Sequence, residues 1–245
     1  MRKTFFFILP LLALVCAVGF LLRPAVLPAD ATHVTVRQEP DVTLAAPREE
    51  EPIREAALPH WTLTLVNPWN FLPAGYVPRL TQLKNGQAVD ERCYPALQKM
   101  MDACRAAGLE PLICSSYRTQ EKQQRLFDNK VSYFLAKGLS EEAARTEAAK
   151  VVAVPGTSEH QLGLAVDIVD ADYQLLDDAQ ANTPVQQWLL EHCWEYGFIL
   201  RYPADKEAVT GIIYEPWHYR YVGEDNAKAI RDSGLCLEEW LTQKG

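Results

Sequence analysis

The stretch that decides the fold of this chain is Ser158-Glu159-His160-Gln161-Leu162-Gly163-Leu164-Ala165-Val166-Asp167, and a second segment, Glu215-Pro216-Trp217-His218, follows about fifty residues later. Together they supply two histidines and an aspartate that can bind one metal ion. Two imidazoles and one carboxylate leave the fourth position of a tetrahedral zinc ion open, which is typical of a catalytic site. Glu215 is then available to accept and donate protons. The two segments therefore predict a zinc hydrolase.

The surroundings of His160 favour a metal ligand over an ordinary buried histidine. The short run Leu164–Asp170 is apolar and rich in β-branched residues, which predicts a buried strand. On a strand, Asp167 and Ala165 point to the same face, and the small side chain of Ala165 leaves space beside a metal. The alternative is a cap or turn network around Ser158 and Asp167 that holds no metal.

The second segment lies in an aromatic-rich part of the chain. In an extended strand, Glu215 and His218 would point to opposite faces because they are three residues apart. Pro216 therefore has to bend the chain if both side chains are to reach one cavity. The alternative is a packed aromatic strand with an incidental histidine.

A cation that could serve such a site is Arg118, within Ser115-Ser116-Tyr117-Arg118-Thr119. Its guanidinium group could polarise the carbonyl of an amide substrate. It could equally hold a carboxylate at the end of the substrate through two parallel hydrogen bonds. The alternative is an ordinary surface ion pair.

The N-terminus predicts export. Arg2 and Lys3 precede Phe5–Leu22, a run without charged residues. At about 1.5 Å per residue, this run just crosses a hydrocarbon core of about 30 Å. No small-x-small cleavage pattern follows it, so residues 1–22 are predicted to be a signal anchor that begins in the cytoplasm. A cleaved signal peptide with a secreted product is the alternative.

Composition divides the rest of the chain. Residues 23–60 contain six of the sixteen prolines and many glutamates, which predicts a disordered tether. Residues 61–245 have an ordinary size for one domain. The net charge of −8 argues against a nucleic-acid partner, because binding to phosphates requires a basic surface.

The five cysteines after the tether suit an exported protein, where disulfides persist. Cys104 lies on the apolar stripe of a predicted helix, so we expect a buried free thiol. For the other four we expect Cys114 to pair with Cys193, and Cys93 with Cys236. The chain has no Cys-x-x-Cys pair, so the metal site is not expected to use thiolates.

Helix and strand patterns are mixed without regular alternation, which predicts an α+β fold with a mostly antiparallel sheet flanked by helices. The predicted strands are Trp61–Val66, Glu110–Ser116, Leu164–Asp170, Phe198–Tyr202 and a further one after Tyr214. The predicted helices are Asp90–Ala107, Gln120–Asn129, one capped by Ser140, Pro184–Tyr196 and Glu224–Ser233.

These motifs resemble the D-alanyl-D-alanine carboxypeptidase family of zinc peptidases, in its VanY-like branch. The resemblance extends over about residues 67–221. It implies the compact fold that this family shares with the N-terminal signalling domain of hedgehog proteins. The motifs that carry it are Ser158-x-His160-x-x-Gly163-x-Ala165-x-Asp167, Glu215-x-Trp217-His218 and Ser115-Ser116-Tyr117-Arg118-Thr119 with Gln123.

The resemblance also implies roles for these residues. It implies one zinc ion per chain, held by His160, Asp167 and His218, with Glu215 as general base. Contact with the substrate backbone or carboxylate is implied for Arg118, Gln123 and Ser158. The implied substrate is a peptidoglycan stem peptide ending in D-Ala.

We therefore expect a membrane-tethered, monomeric zinc D,D-carboxypeptidase that removes the terminal D-Ala outside the cytoplasm. Two alternatives stay open. The same site could act as an L,D-carboxypeptidase or as an endopeptidase on peptidoglycan. The domain could also be a zinc-containing wall-binding module without activity, although Glu215 and Arg118 argue against this because such a module needs neither.

Overall fold

The computed structural model of the 245-residue chain describes residues 60–73 and 75–244. The predicted signal anchor, residues 1–22, and all of the predicted tether except His60 lie outside these described residues. Within the described part of the chain, no helix is long and apolar enough to cross a membrane. Membrane anchoring and the boundaries of the domain therefore stay predictions.

A four-stranded antiparallel sheet lies at the centre of the fold. The strands within the described residues are β1 (Leu80–Gln82), β2 (Ala88–Asp90), β3 (Pro111–Ser115), β4 (Ala165–Asp170), β5 (Phe198–Leu200) and β6 (His218–Tyr221). The central sheet has the order β3-β4-β6-β5, and β1 pairs with β2 in a separate hairpin. Every pair of neighbours is antiparallel, so the predicted α+β class with an antiparallel sheet is confirmed.

Helices surround this sheet, and several begin at residues whose side chains cap them. Those in the described residues are α1 (Tyr94–Ala106), α2 (Gln120–Ala136), α3 (Glu141–Val151), α4 (Pro184–His192), α5 (Glu207–Thr210), α6 (Glu224–Ser233) and α7 (Leu237–Lys244). The hydroxyl of Ser140 accepts a hydrogen bond from the amide of Ala143, which confirms the predicted cap. Thr119 caps α2 in the same way. The helical run of α4 continues as a 3₁₀ turn and ends before Gly197, as predicted.

Strand β4 separates the core from the face that carries the predicted site. All six of its residues are buried. Val166 and Ile168 belong to the main hydrophobic core, together with residues of α1 and α4 such as Leu97 and Leu189. Because side chains alternate along a strand, Asp167 points away from this core. The alternation of β4 thus supplies one carboxylate to the opposite face of the sheet.

The strand predicted at Trp61–Val66 is wrong. The segment begins with a 3₁₀ turn, Trp61–Leu63, and then continues without a strand partner. The carbonyl oxygens of Thr62 and Thr64 accept hydrogen bonds from the buried guanidinium of Arg220, at 3.0 and 2.9 Å. A side chain from the central sheet therefore satisfies backbone groups that a strand partner would otherwise bind.

Two predicted helix boundaries are also corrected. Helix α1 begins at Tyr94 and not at Asp90, because Asp90 ends strand β2. Helix α2 continues beyond its predicted end at Asn129, since Phe127 and Val131 pack against α3. The sequence patterns did not predict the β1–β2 hairpin strands, α5 or α7.

The predicted disulfides are wrong. All five cysteines of the described residues are free thiols, so neither Cys114 with Cys193 nor Cys93 with Cys236 forms a bridge. The four thiols belong to different elements, namely β3, the end of α4, and the starts of α1 and α7. Burial raises the pKa of the Cys193 thiol to about 12, which keeps it protonated. The prediction that Cys104 is a buried free thiol is confirmed.

Gly163 connects the His160 turn to β4. We expect Gly163→Ala to destabilise the fold by about 2 kcal/mol or more. The left-handed conformation alone costs an L residue about 1–2 kcal/mol. Its φ is 76°, and an added Cβ would lie 3.0 Å from the backbone nitrogen of Asp90. Gly138→Ala is the control, because Gly138 has a φ of 90° and nothing within 4 Å of an added Cβ. Urea unfolding measures both losses. Equal losses would contradict a role for the contact with β2.

Candidate active site

The structure brings the three predicted metal ligands together. Asp167 on β4 lies directly opposite His218 on β6 in the antiparallel register. His160 lies in the 3₁₀ turn Glu159–Leu162, just before β4. One ligand atom from each of the three residues lies within 4.8 Å of the others, and all three side chains are buried.

Hydrogen bonds determine which histidine nitrogens face the cluster. His160 Nδ1 lies 2.9 Å from the carbonyl oxygen of Ser116, which can only accept, so Nδ1 carries the proton. His160 Nε2 is left facing Asp167 Oδ2 at 3.2 Å. His218 has the opposite orientation, with Nδ1 3.1 Å from Asp167 Oδ1 and Nε2 3.6 Å from Glu159 Oε2. The donor set is therefore His160 Nε2, an Asp167 oxygen and His218 Nδ1.

This donor set fits zinc. Two imidazole nitrogens and one carboxylate oxygen are common zinc ligands and leave one coordination position open. Burial lowers the pKa of His160 to about 4, which keeps its imidazole neutral. Burial also lowers the pKa of His218, but the hydrogen bond to Asp167 and the nearby carboxylate of Glu159 outweigh it and raise this pKa to about 9. A bound metal ion would displace the His218 proton, because only neutral imidazole binds metals.

Glu215 lies beside the cluster without belonging to the donor set. The chain turns at Pro216, and the amide of His218 donates to the carbonyl oxygen of Glu215 at 3.1 Å. This is the predicted bend, and it places Glu215 Oε2 3.6 Å from His218 Nδ1. Burial raises the pKa of the Glu215 carboxyl to about 8. A carboxyl group with such a pKa can hold or release a proton near neutral pH.

Arg118 is joined to the cluster by a largely buried ion pair rather than a surface one. Its Nη2 donates to Asp167 Oδ2 at 2.9 Å and to Ser115 Oγ at 2.7 Å. Gln123 lies behind it, fully buried, where its Oε1 accepts from Arg118 Nη1 at 3.3 Å and its Nε2 donates to the carbonyl of Ala153. Gln123 is not among the residues that line the cavity, and its contact with the substrate stays a prediction.

A cavity of about 260 Å³ opens onto these groups. It is formed by α2, the residues after α3, and the loop that leads to β6. Its size suits the end of an extended peptide. The residues that line it include Arg118, Leu126, Lys130, Ser158, Glu215 and Trp217.

Sequence reasoning gave no role to Glu159. Its carboxylate accepts hydrogen bonds from two fully buried guanidinium groups, those of Arg201 at 2.7 Å and Arg220 at 2.8 Å. These cations hold the pKa of Glu159 well below its usual range in spite of burial. Its other oxygen faces His218 Nε2, and neither atom has a hydrogen-bond partner among the described residues. The sequence signal that could have indicated this role was a charged residue, Glu159, within a motif whose other residues are buried.

Comparison with known proteins agrees with this site. The family model described as VanY, D-alanyl-D-alanine carboxypeptidase, matches residues 86–224. The chain belongs to the VanY family. It is 48% identical over 219 residues to a D-alanyl-D-alanine carboxypeptidase of Enterococcus faecalis, covering 87% of this chain and 78% of the relative.

Two solved VanY structures extend the comparison. VanYB in complex with D-alanine-D-alanine is 50% identical, with a TM-score of 0.70 over 76% of this chain and 99% of that chain. A variant of the vancomycin resistance D,D-pentapeptidase VanY in complex with Zn(II) is also 50% identical, with a TM-score of 0.68 over 74% and 99%. These matches confirm the predicted zinc peptidase fold. Together with the His-Asp-His cluster, they also confirm zinc as the predicted cofactor.

Proposed function

We propose that this VanY-family protein is a zinc-dependent D,D-carboxypeptidase that removes the terminal D-Ala from peptidoglycan stem peptides. The observation that carries the proposal is the buried His160–Asp167–His218 cluster, which shares one cavity with the carboxyl group of Glu215 and the guanidinium of Arg118. The relative that binds D-alanine-D-alanine at 50% identity supports this class of substrate.

Each residue of the site would have its own role in the reaction. His160 Nε2, Asp167 and His218 Nδ1 would hold zinc, which supplies a water of lowered pKa and polarises the scissile carbonyl. Glu215 accepts a proton from the attacking water and passes it to the nitrogen of the departing D-Ala. The water oxygen becomes part of the new carboxylate, and the amide C–N bond breaks.

Arg118 would bind the carboxylate of the terminal D-Ala, since a guanidinium group matches a carboxylate with two parallel hydrogen bonds. Ser158 lines the same cavity and is available to bind the peptide backbone. Gln123 would position Arg118 from behind through its 3.3 Å hydrogen bond.

We also propose that the protein acts outside the cytoplasm, since peptidoglycan lies there. Residues 1–22 would anchor it in the membrane and residues 23–60 would tether the peptidase domain. The chain would work as a monomer, because the ligands and Glu215 all come from one chain.

A chelator should abolish D-Ala release from a pentapeptide stem, and added Zn²⁺ should restore it. The assay uses the full chain with tri-, tetra- and pentapeptide stems and identifies the residue released. Release from the pentapeptide alone supports the proposal. Release from the tetrapeptide instead would indicate an L,D-carboxypeptidase, and cleavage of cross-linked peptides an endopeptidase. Zinc bound without any turnover would indicate a wall-binding module.

A further inference from the structure

Helix α2 borders the cavity with a face that the proposed reaction does not use. Lys122, Leu126 and Lys130 follow one another at intervals of four residues, so they lie on one face of the helix. All three are half-buried, while the adjacent face packs against α3. Leu126 and Lys130 both line the cavity that contains the zinc ligands. The wall of the cavity therefore carries a cation some distance from the metal cluster.

The two cations that line this cavity differ in their partners. Arg118 forms a largely buried ion pair with Asp167. The ammonium group of Lys130 forms no ion pair with any residue in the described ranges 60–73 and 75–244, and its contact is the ring of Tyr133, with Nζ 5.4 Å from the centroid. A half-buried cation without a carboxylate is available to an anionic group of the substrate.

The spacing along α2 tells which part of the substrate lies near Lys130. Gln123, which contacts Arg118, precedes Lys130 by seven residues, or about 10 Å along the helix axis at 1.5 Å per residue. An extended peptide spans about 10 Å in three residues. With the terminal carboxylate at Arg118, a peptide running along α2 would bring the residues just before its D-Ala pair to Lys130.

We propose that Lys130 is a specificity-determining residue that binds a carboxylate of the stem peptide on the amino-terminal side of the D-Ala pair. This inference rests on the proposed function. A carboxylate can come from two sources there. One is a side-chain carboxylate on the residue that precedes the pair, as in diaminopimelate. The other is the α-carboxylate of a γ-linked D-glutamate one residue earlier.

Two pairs of synthetic pentapeptides distinguish these sources. The first pair differs only at D-glutamate, whose α-carboxylate is free or amidated, with lysine as the third residue. The second pair has amidated D-glutamate and carries diaminopimelate with its side-chain carboxylate free or amidated. The measured quantity is the acid-to-amide ratio of kcat/KM for wild type, Lys130→Met and Lys137→Met. Lys137 is a matched control because it also lies 5.4 Å from the Tyr133 ring but is exposed and outside the cavity.

We expect wild type and Lys137→Met to favour the acid in one pair by about fivefold or more, as for a partly buried charged hydrogen bond. In Lys130→Met, which keeps the aliphatic stem, this ratio should fall to about one. Lys130→Arg retains the charge and should retain the preference for the acid. This variant tests the inference even if Lys130→Met fails to fold. Ratios near one in wild type, or a ratio unchanged in Lys130→Met, would overturn the inference.

The same experiment distinguishes a failure of this inference from a failure of the proposed function. If wild type releases D-Ala from none of the four peptides, the proposed function itself fails. If wild type releases D-Ala from all four peptides at equal rates, only the role of Lys130 fails.

Discussion

Glu215→Gln should lower the rate of D-Ala release by about a thousandfold while zinc stays bound, because general acid–base groups contribute about a hundredfold to ten-thousandfold. Glu215 lies 3.6 Å from His218 Nδ1 but is not one of the three clustered ligands. The amide of glutamine keeps the size of the side chain and cannot accept the proton. The measurement compares kcat with the zinc content of the same sample.

Glu207→Gln is the matched control for this experiment. Glu207 is an exposed glutamate at the start of α5 and does not line the cavity. The Glu207→Gln variant should retain wild-type kcat. Full activity in Glu215→Gln would remove this residue from the mechanism, and loss of zinc would show that it acts as a ligand.

The pH dependence of kcat provides a second test of Glu215. A carboxyl group accepts a proton only in its ionised form, so activity should fall as the pH drops through the pKa of Glu215. Burial raises that pKa to about 8 without a metal, and a bound cation would lower it. The fall in activity at acidic pH should therefore lie below pH 8 in the zinc enzyme and disappear in the glutamine variant.

The metal cluster could be predicted from sequence because its geometry is mostly local. A buried β-strand places Asp167 on one face, and the proline turn between Glu215 and His218 changes the direction of the chain within three residues. The long-range step, pairing of β4 with β6, is not encoded in either segment alone. The family resemblance supplied that step by joining the two motifs into one site.

The parts that could not be predicted depend on buried cations from distant segments. The residues from Trp61 to Val66 show strand-like alternation, yet Arg220 binds their carbonyl groups and no strand pairs with them. Glu159 gains its role only when Arg201 and Arg220, from the region of β5 and from β6, meet its carboxylate. No local sequence pattern indicates that these three charged groups come into contact. The disulfide prediction failed for a similar reason, since cysteine counts carry no information about distance.

The second large effect is expected at Glu159. Glu159→Gln should lower the free energy of unfolding by about 3 kcal/mol or more, because it leaves the buried guanidinium group of Arg220 without its carboxylate partner and removes one of the two partners of Arg201. Arg201 and Arg220 are both fully buried, and Arg220 has no other carboxylate partner among the described residues. Urea unfolding of the zinc-free protein measures this loss.

The same substitution should also weaken zinc binding by about tenfold to a hundredfold, as is typical for loss of a group that orients a metal ligand. Glu159 Oε2 lies 3.6 Å from His218 Nε2. Its negative charge favours a proton on Nε2, which leaves Nδ1 free to face the metal. Competition with a chromogenic chelator, under conditions where the variant is folded, measures the affinity.

Glu238→Gln separates the two effects. Glu238 binds Arg201 through both terminal guanidinium nitrogens, at 2.8 and 2.6 Å, and forms no ion pair with His218 in the described part of the chain. This variant should therefore lose stability while it retains the zinc affinity of wild type. If zinc affinity falls equally in both variants, Glu159 acts on the metal only through the stability of the fold. If affinity falls in Glu159→Gln alone, the charge network that buries two arginines also orients the histidine opposite Asp167.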